Sequence, residues 1–128
     1  MKDKLSVVDS ISFSVKKEKE IIRDGKVAIL YSPGFGTGWY TWHGVYELLR
    51  DPEVVHLVEL RSKVSVDEQT YYTEKIMDYC KSTYGDHYYG GADDLTIEWI
   101  DLGDKFRITE YEGSETIEYL TNTRWLEA

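Results

Sequence analysis

One cysteine, two prolines and no apolar run of membrane-spanning length mark this 128-residue chain by what they leave out. A single thiol, Cys80, cannot close an internal disulfide, so a reducing compartment fits best. No stretch reaches the roughly 18 apolar residues of a membrane span. The opening MKDKLSVVDS lacks the apolar core of a secretory signal, which makes the cytoplasm the expected setting. Basic residues are also scarce, 15 Lys and Arg against 24 Asp and Glu, for a formal charge of −9. A field of that sign repels phosphate backbones and excludes non-specific binding of duplex nucleic acid. His43, His56 and His87 stand singly without the H-x-x-x-H spacing of a zinc site, and no G-x-S-x-G elbow of a serine hydrolase occurs.

What remains suits one globular domain over residues 1–128. The apolar fraction is a lean 41%, but 4 Trp, 11 Tyr and 3 Phe bring large buried areas and argue against disorder. Residues 1–19 resist assignment, although ISFSV alternates like a strand and KKEKE is a solvated charge run. Asp24-Gly25 is a favoured two-residue turn between the β-prone runs Glu20–Arg23 and Lys26–Tyr31, which predicts a hairpin.

A helical middle follows. Val45–Arg50 is expected as a short helix and Pro52–Arg61 as a second, started by Asp51 as cap and Pro52 in the first helical position. Val54, Leu57 and Val58 share one face of the second helix. Ser65 and Glu68 match a capping box for a third helix from Val66 to Thr83, with Tyr72, Ile76, Tyr79 and Cys80 as its inner stripe and Gly85 as its stop.

The period then changes to two. LTIEWID sets Leu95, Ile97 and Trp99 on one face, KFRITEYE sets Phe106 and Ile108 on one face, and Leu102–Asp104 is expected to join the two runs as a hairpin turn. SETIEYLTNTRWLEA reads equally as a short helix or a last strand, with Trp125 and Leu126 expected to close over the core. The order of elements predicts an α+β fold: an antiparallel β-sheet, from an N-terminal and a C-terminal hairpin, with a central helical segment.

Two glycine-aromatic stretches are the candidate sites. In SPGFGTGWYTW, residues 32–42, the glycines Gly34, Gly36 and Gly38 alternate with Phe35 and Thr37 after Pro33. Trp39, Tyr40 and Trp42 follow. The spacing is G-x-G-x-G, not the G-x-G-x-x-G of a dinucleotide fold, and no Walker lysine follows. As a binding surface, the rings would stack on a base and the Gly34–Gly38 backbone would approach phosphate. As plain structure, the tryptophans pack in the core and the glycines turn the chain. The second stretch, YGDHYYGGADDLTIEW, offers Tyr88 and Tyr89 as further rings. Its Asp93 and Asp94 could bind a metal or serve acid–base chemistry, but no His or Glu stands at a supporting spacing, and such a pair before a strand also caps a turn. Arg50 and Arg61 are the expected phosphate partners, since a guanidinium binds phosphate bidentately.

Those same motifs carry a resemblance. SPGFGTGW and YYGGADDL, within residues 20 to 128, resemble a family of small proteins encoded by tailed bacteriophages and prophages. The resemblance implies a host bacterial cytoplasm and a role in counter-defence. On that analogy the expected activity is non-enzymatic: a homo-oligomeric sponge that sequesters a small nucleotide-type immune signal of the CBASS or Thoeris kind. No cofactor or metal is expected. The alternatives are an acidic inhibitor docking on a host defence protein, and a small hydrolase using Asp93 and Asp94.

Overall fold

A computed structural model describes residues 19–36, 38–87 and 89–120, less the side chain of His43. The expectations for ISFSV, Thr37, Tyr88, Trp125 and Leu126 lie outside the described residues. The fold is α+β with two antiparallel sheets. Strands β1 (Ile22–Arg23), β2 (Lys26–Tyr31) and β3 (Thr96–Asp101) form one sheet in the order β1-β2-β3. Strands β4 (Phe106–Tyr111) and β5 (Ser114–Tyr119) form the other. Between β2 and β3 in sequence lie a single helical turn α1 (Tyr40–His43), a 3₁₀ turn (Tyr46–Leu49), α2 (Pro52–Arg61), α3 (Val66–Tyr84) and a 3₁₀ turn at Ala92–Asp94.

The Asp24-Gly25 turn forms as its residue types require, with φ of 52° and 76°. The second expected hairpin does not form as a pair of LTIEWID with KFRITEYE. β3 pairs with β2, Val27 opposite Ile100, and β4 pairs with β5 through the tight turn at Glu112-Gly113. The physical reason lies in β2. KVAILY is buried along Val27–Leu30 on both faces, so it must be a central strand and needs a partner on each side.

Its two faces feed two cores. Ala28 and Leu30 point with Leu95, Ile97 and Trp99 toward the helices, where Val54, Leu57, Val58, Ile76 and Cys80 close the larger core. Val27 and Ile29 point with Ile100 and Leu49 toward the β4–β5 hairpin, whose inner face carries Phe106, Ile108, Ile117 and Tyr119. The layers are therefore helices, three-stranded sheet, hairpin.

Helix α2 starts as its sequence dictates: Asp51 Oδ1 accepts the amides of Glu53 and Val54. Helix α3 runs one residue past expectation to Tyr84 and stops at Gly85, φ 106°. Ser65 stands at its N-cap, but its hydroxyl makes no capping bond. The expected Val45–Arg50 helix is a 3₁₀ turn over Tyr46–Leu49, preceded by the separate turn α1. Gly44, at φ 75°, divides the two.

Candidate functional site

The two glycine-aromatic stretches meet in space, and they meet around carboxylates. Glu115 on β5 is buried, 2% exposed. One of its oxygens accepts the Ser32 amide at 2.9 Å. The other accepts the amides of Trp39 at 2.8 Å and Thr41 at 2.9 Å, and the Thr41 hydroxyl at 2.7 Å. The backbone answers in the same place: the Glu115 amide donates to the Ser32 carbonyl at 2.8 Å. Asp94 holds the other side of the loop, accepting the Gly34 amide and the Ser32 hydroxyl.

Glycine is needed at two of these positions for space. A side chain at Gly34 would run into the Asp94 carboxylate, and one at Gly38 would meet Thr41 Oγ1 at 2.7 Å and Trp42 Cδ1 at 2.9 Å. The Gly36 amide donates to the Glu112 carbonyl at 2.9 Å, fixing the loop to the β4–β5 turn. The amides of Ser32, Gly34, Gly36, Trp39 and Thr41 thus all have acceptors within the molecule. This differs from the expectation of a backbone open to phosphate: carboxylates already supply the negative charge that those amides attract.

The aromatic residues divide. Trp39 is fully buried, donates from Nε1 to the Leu48 carbonyl at 2.8 Å, and its ring lies 6.1 Å from Tyr89. Tyr89 is buried too and donates to the Gly85 carbonyl at 2.6 Å. Both are core residues, not stacking faces. Phe35 and Trp42 stand exposed at the hairpin tip, together with Pro33 at the start of the loop. Tyr40 is half-buried and turns toward the gap between the sheets.

The basic residues divide as well. Arg61 is buried, and its guanidinium donates to Thr73 Oγ1, to the Ala92 carbonyl at 2.7 Å and to the Leu95 carbonyl at 3.0 Å. It ties α2 and α3 to the Ala92–Asp94 turn. Burial pulls it below its ordinary value while Asp93 and Asp94 oppose that pull. Its expected role as a phosphate partner gives way to a structural one, because these donors are spent on the fold. Arg50 is different. It pairs with Glu20 at 2.9 Å and lies over the Tyr46 ring, 4.8 Å from the centroid. Its Nε–H is a buried donor that has no acceptor among the described residues.

Arg50 lines a cavity of about 650 Å³ between the two sheets. The cavity has an apolar floor of Val27, Ile29, Leu49, Ile100, Phe106 and Ile108. Tyr40 and Tyr46 supply rings. Three basic side chains, Arg50, Lys105 and Arg107, offset three acidic ones, Glu20, Asp101 and Asp104. Asp101 is itself held by Lys26 at 2.6 Å. In a chain of charge −9 this is a locally neutral place.

The remaining titratable clusters serve the fold. Asp51 Oδ2 accepts the hydroxyls of Tyr79 and Tyr84. Burial first, and Asp51 second, push Tyr79 up to about 12 and Tyr84 further. Burial pushes the Cys80 thiol up to about 12, so it is protonated at neutral pH and not a nucleophile. His87 stands exposed, its ring 6.0 Å from Tyr89, and Asp93 is exposed. Among the described residues no three His, Cys, Asp or Glu gather to hold a metal, and no helix is long and apolar enough to cross a membrane.

Glu115 is the residue that sequence reasoning missed. A signal existed: in SETIEY it falls in phase with Ile117 and Tyr119, the inward face, so a carboxylate was aligned with an apolar stripe. Compared with protein-family models, with curated proteins and with solved structures, the chain matches none of them.

Proposed function

We propose that the protein is a non-enzymatic binding protein that captures a small nucleotide-type ligand in the cavity between its sheets. The observation that carries this reading is Arg50: a cavity-lining guanidinium, stacked on Tyr46, with a buried Nε–H that has no acceptor among the described residues. An unmet buried donor costs about 1–3 kcal/mol, and the charge of the guanidinium that carries it would draw an anionic ligand oxygen to the cavity wall. The volume falls in the range of about 300–1,000 Å³ that small-molecule sites occupy. Tyr40 and Tyr46 offer ring faces for a base, where stacking contributes about 1–3 kcal/mol. Lys105 lines the same cavity and adds positive charge for phosphate, while Arg107 there is paired with Glu118 at 2.8 Å.

The reading is one of sequestration because the buried carboxylates Asp51 and Glu115 and the half-buried Asp94 accept hydrogen bonds from the fold's own donors and are not among the residues that line the cavity. In the phage setting that the resemblance implies, the ligand is an immune signal held back from its receptor. A thermal-shift screen against cyclic oligonucleotides and cyclic ADP-ribose isomers tests it, followed by heat release and chromatography of the ligand. A rise in melting temperature with intact ligand recovered supports sequestration. Altered ligand would replace it with an enzymatic reading, and no shift with any nucleotide contradicts it.

A further inference from the structure

A second surface is built at the opposite extreme of polarity, at the β4–β5 tip. Phe35, Tyr111 and Trp42 are 73%, 68% and 47% exposed. Single exposed rings are ordinary, but Phe35 and Tyr111 pair with each other, and Trp42 meets Glu110, the residue before Tyr111 on β4. Phe35 meets Tyr111 edge-on, centroids 6.5 Å apart, and Trp42 Nε1 lies 3.4 Å from Glu110 Oε2. Glu110 also caps the Gly113 amide at 2.7 Å, and Gly36 is bonded to Glu112. Neither residues 31–42 nor residues 108–119 contain a lysine or an arginine, so Glu110 and Glu112 dominate the charge. The Glu115 and Asp94 bonds fix the loop that presents these rings, so little ordering cost remains for a partner.

We propose that this tip docks an arginine-bearing segment of a partner protein. Guanidinium is the group that satisfies both features at once: it stacks flat on aromatic faces and forks onto carboxylates. An ammonium group shares the charge but not the planar stacking. Nucleic acid would be repelled by the carboxylates, and a purely apolar partner would leave their negative charge unmatched. The surface is independent of the cavity around Arg50.

The test uses fluorescence anisotropy with a labelled hepta-arginine peptide and a hepta-lysine peptide of the same length. The wild-type chain is expected to bind the arginine peptide about tenfold tighter than the lysine peptide, the ratio that cation–π contacts of about 1.4 kcal/mol yield. The triple variant Phe35→Ser, Trp42→Ala, Tyr111→Ser keeps the net charge and is expected to erase that preference. Glu112→Gln is expected to weaken both peptides, more at low salt. Phe35→Ser alone, at the most exposed ring, is expected to lose about threefold and reads the surface even where the triple variant fails to fold. Equal affinity for the two peptides, or an arginine preference that survives in a folded ring variant, overturns the proposal. Arg50→Ala is expected to leave peptide binding unchanged, so the cavity reading and this one fail separately.

Discussion

The loop at Ser32–Thr41 and the cavity between the sheets handle their polar groups in opposite ways. In the loop, five backbone amides have acceptors, four of them carboxylate oxygens from Glu115 and Asp94. In the cavity, rings and an apolar floor surround a guanidinium whose Nε–H goes unmet among the described residues. Glycine and aromatic density therefore marks the part of the molecule that is complete in itself. The cavity proposed for a ligand is assembled mostly from β2, β3, β4 and the Tyr46–Leu49 turn, with Tyr40 as its lining residue from a glycine-aromatic stretch. A conspicuous motif can encode an internal demand for hydrogen bonds, while the cavity proposed to bind a ligand arises where separate layers leave a gap.

The comparison breaks most sharply at Glu115. Glu115→Ala strands the amides of Ser32, Trp39 and Thr41 in a buried setting, and the expected loss is about 4 kcal/mol by urea denaturation. Glu115→Gln keeps the shape but turns an NH₂ group toward donors, for an expected loss of about 2 kcal/mol. Equal stability of wild type and Glu115→Ala would show that water or repacking serves those amides equally well.

Arg61→Ala is expected to cost about 3 kcal/mol, since it leaves the Ala92 and Leu95 carbonyls and Thr73 without their donor. Arg61→Lys should recover little, because one ammonium cannot span the two carbonyls that the fork reaches. A fully stable Arg61→Lys would demote the fork geometry to simple charge.

A smaller effect appears with pH. Cys80, Tyr79 and Tyr119 are each raised in the folded chain to about 12, from ordinary values of 9.0 for the thiol and 10.0 for the phenols. Their neutral forms are favoured by folding, so their contribution is complete below about pH 9 and fades as pH rises toward 12. Denaturation midpoints measured from pH 7 to 11 should stay level and then fall above pH 9. Tyr84→Phe removes one hydroxyl from Asp51 at a cost of about 1 kcal/mol at pH 7 and should soften the alkaline fall. A midpoint that climbs above pH 9 would contradict the buried placement of these groups.

The smallest expected change is at Gly36. It has φ of 116° but open space around its missing side chain, so Gly36→Ala should cost about 1 kcal/mol from backbone strain alone. Gly34→Ala, which drives a methyl into the Asp94 carboxylate, should cost visibly more in the same assay.

Much of the fold was legible because local rules governed it. Asp51-Pro52 started α2, Gly85 stopped α3, and Asp24-Gly25 turned β1 into β2, each through backbone demands that one or two residues express. Strand partnership was not legible, because pairing β2 with β3 spans some 70 residues and depends on β2 being buried on both faces. The site was harder still. Trp39 and Arg61 look like ligand groups in the sequence, yet tertiary packing closes over both. Tyr46 drew no attention, since its value comes from lying under Arg50 across from a hairpin that arrives 60 residues later.

The central claim is that the ligand sits in the cavity and not on the glycine loop. Isothermal titration of a cyclic dinucleotide that raises the melting temperature, against wild type, Arg50→Ala and Trp42→Ala, tests it most directly. The account predicts that Arg50→Ala weakens binding by at least about tenfold, the loss of one charge-assisted bond, while Trp42→Ala binds as wild type does. Loss of binding in Trp42→Ala with Arg50→Ala unaffected would contradict it and return the site to the loop.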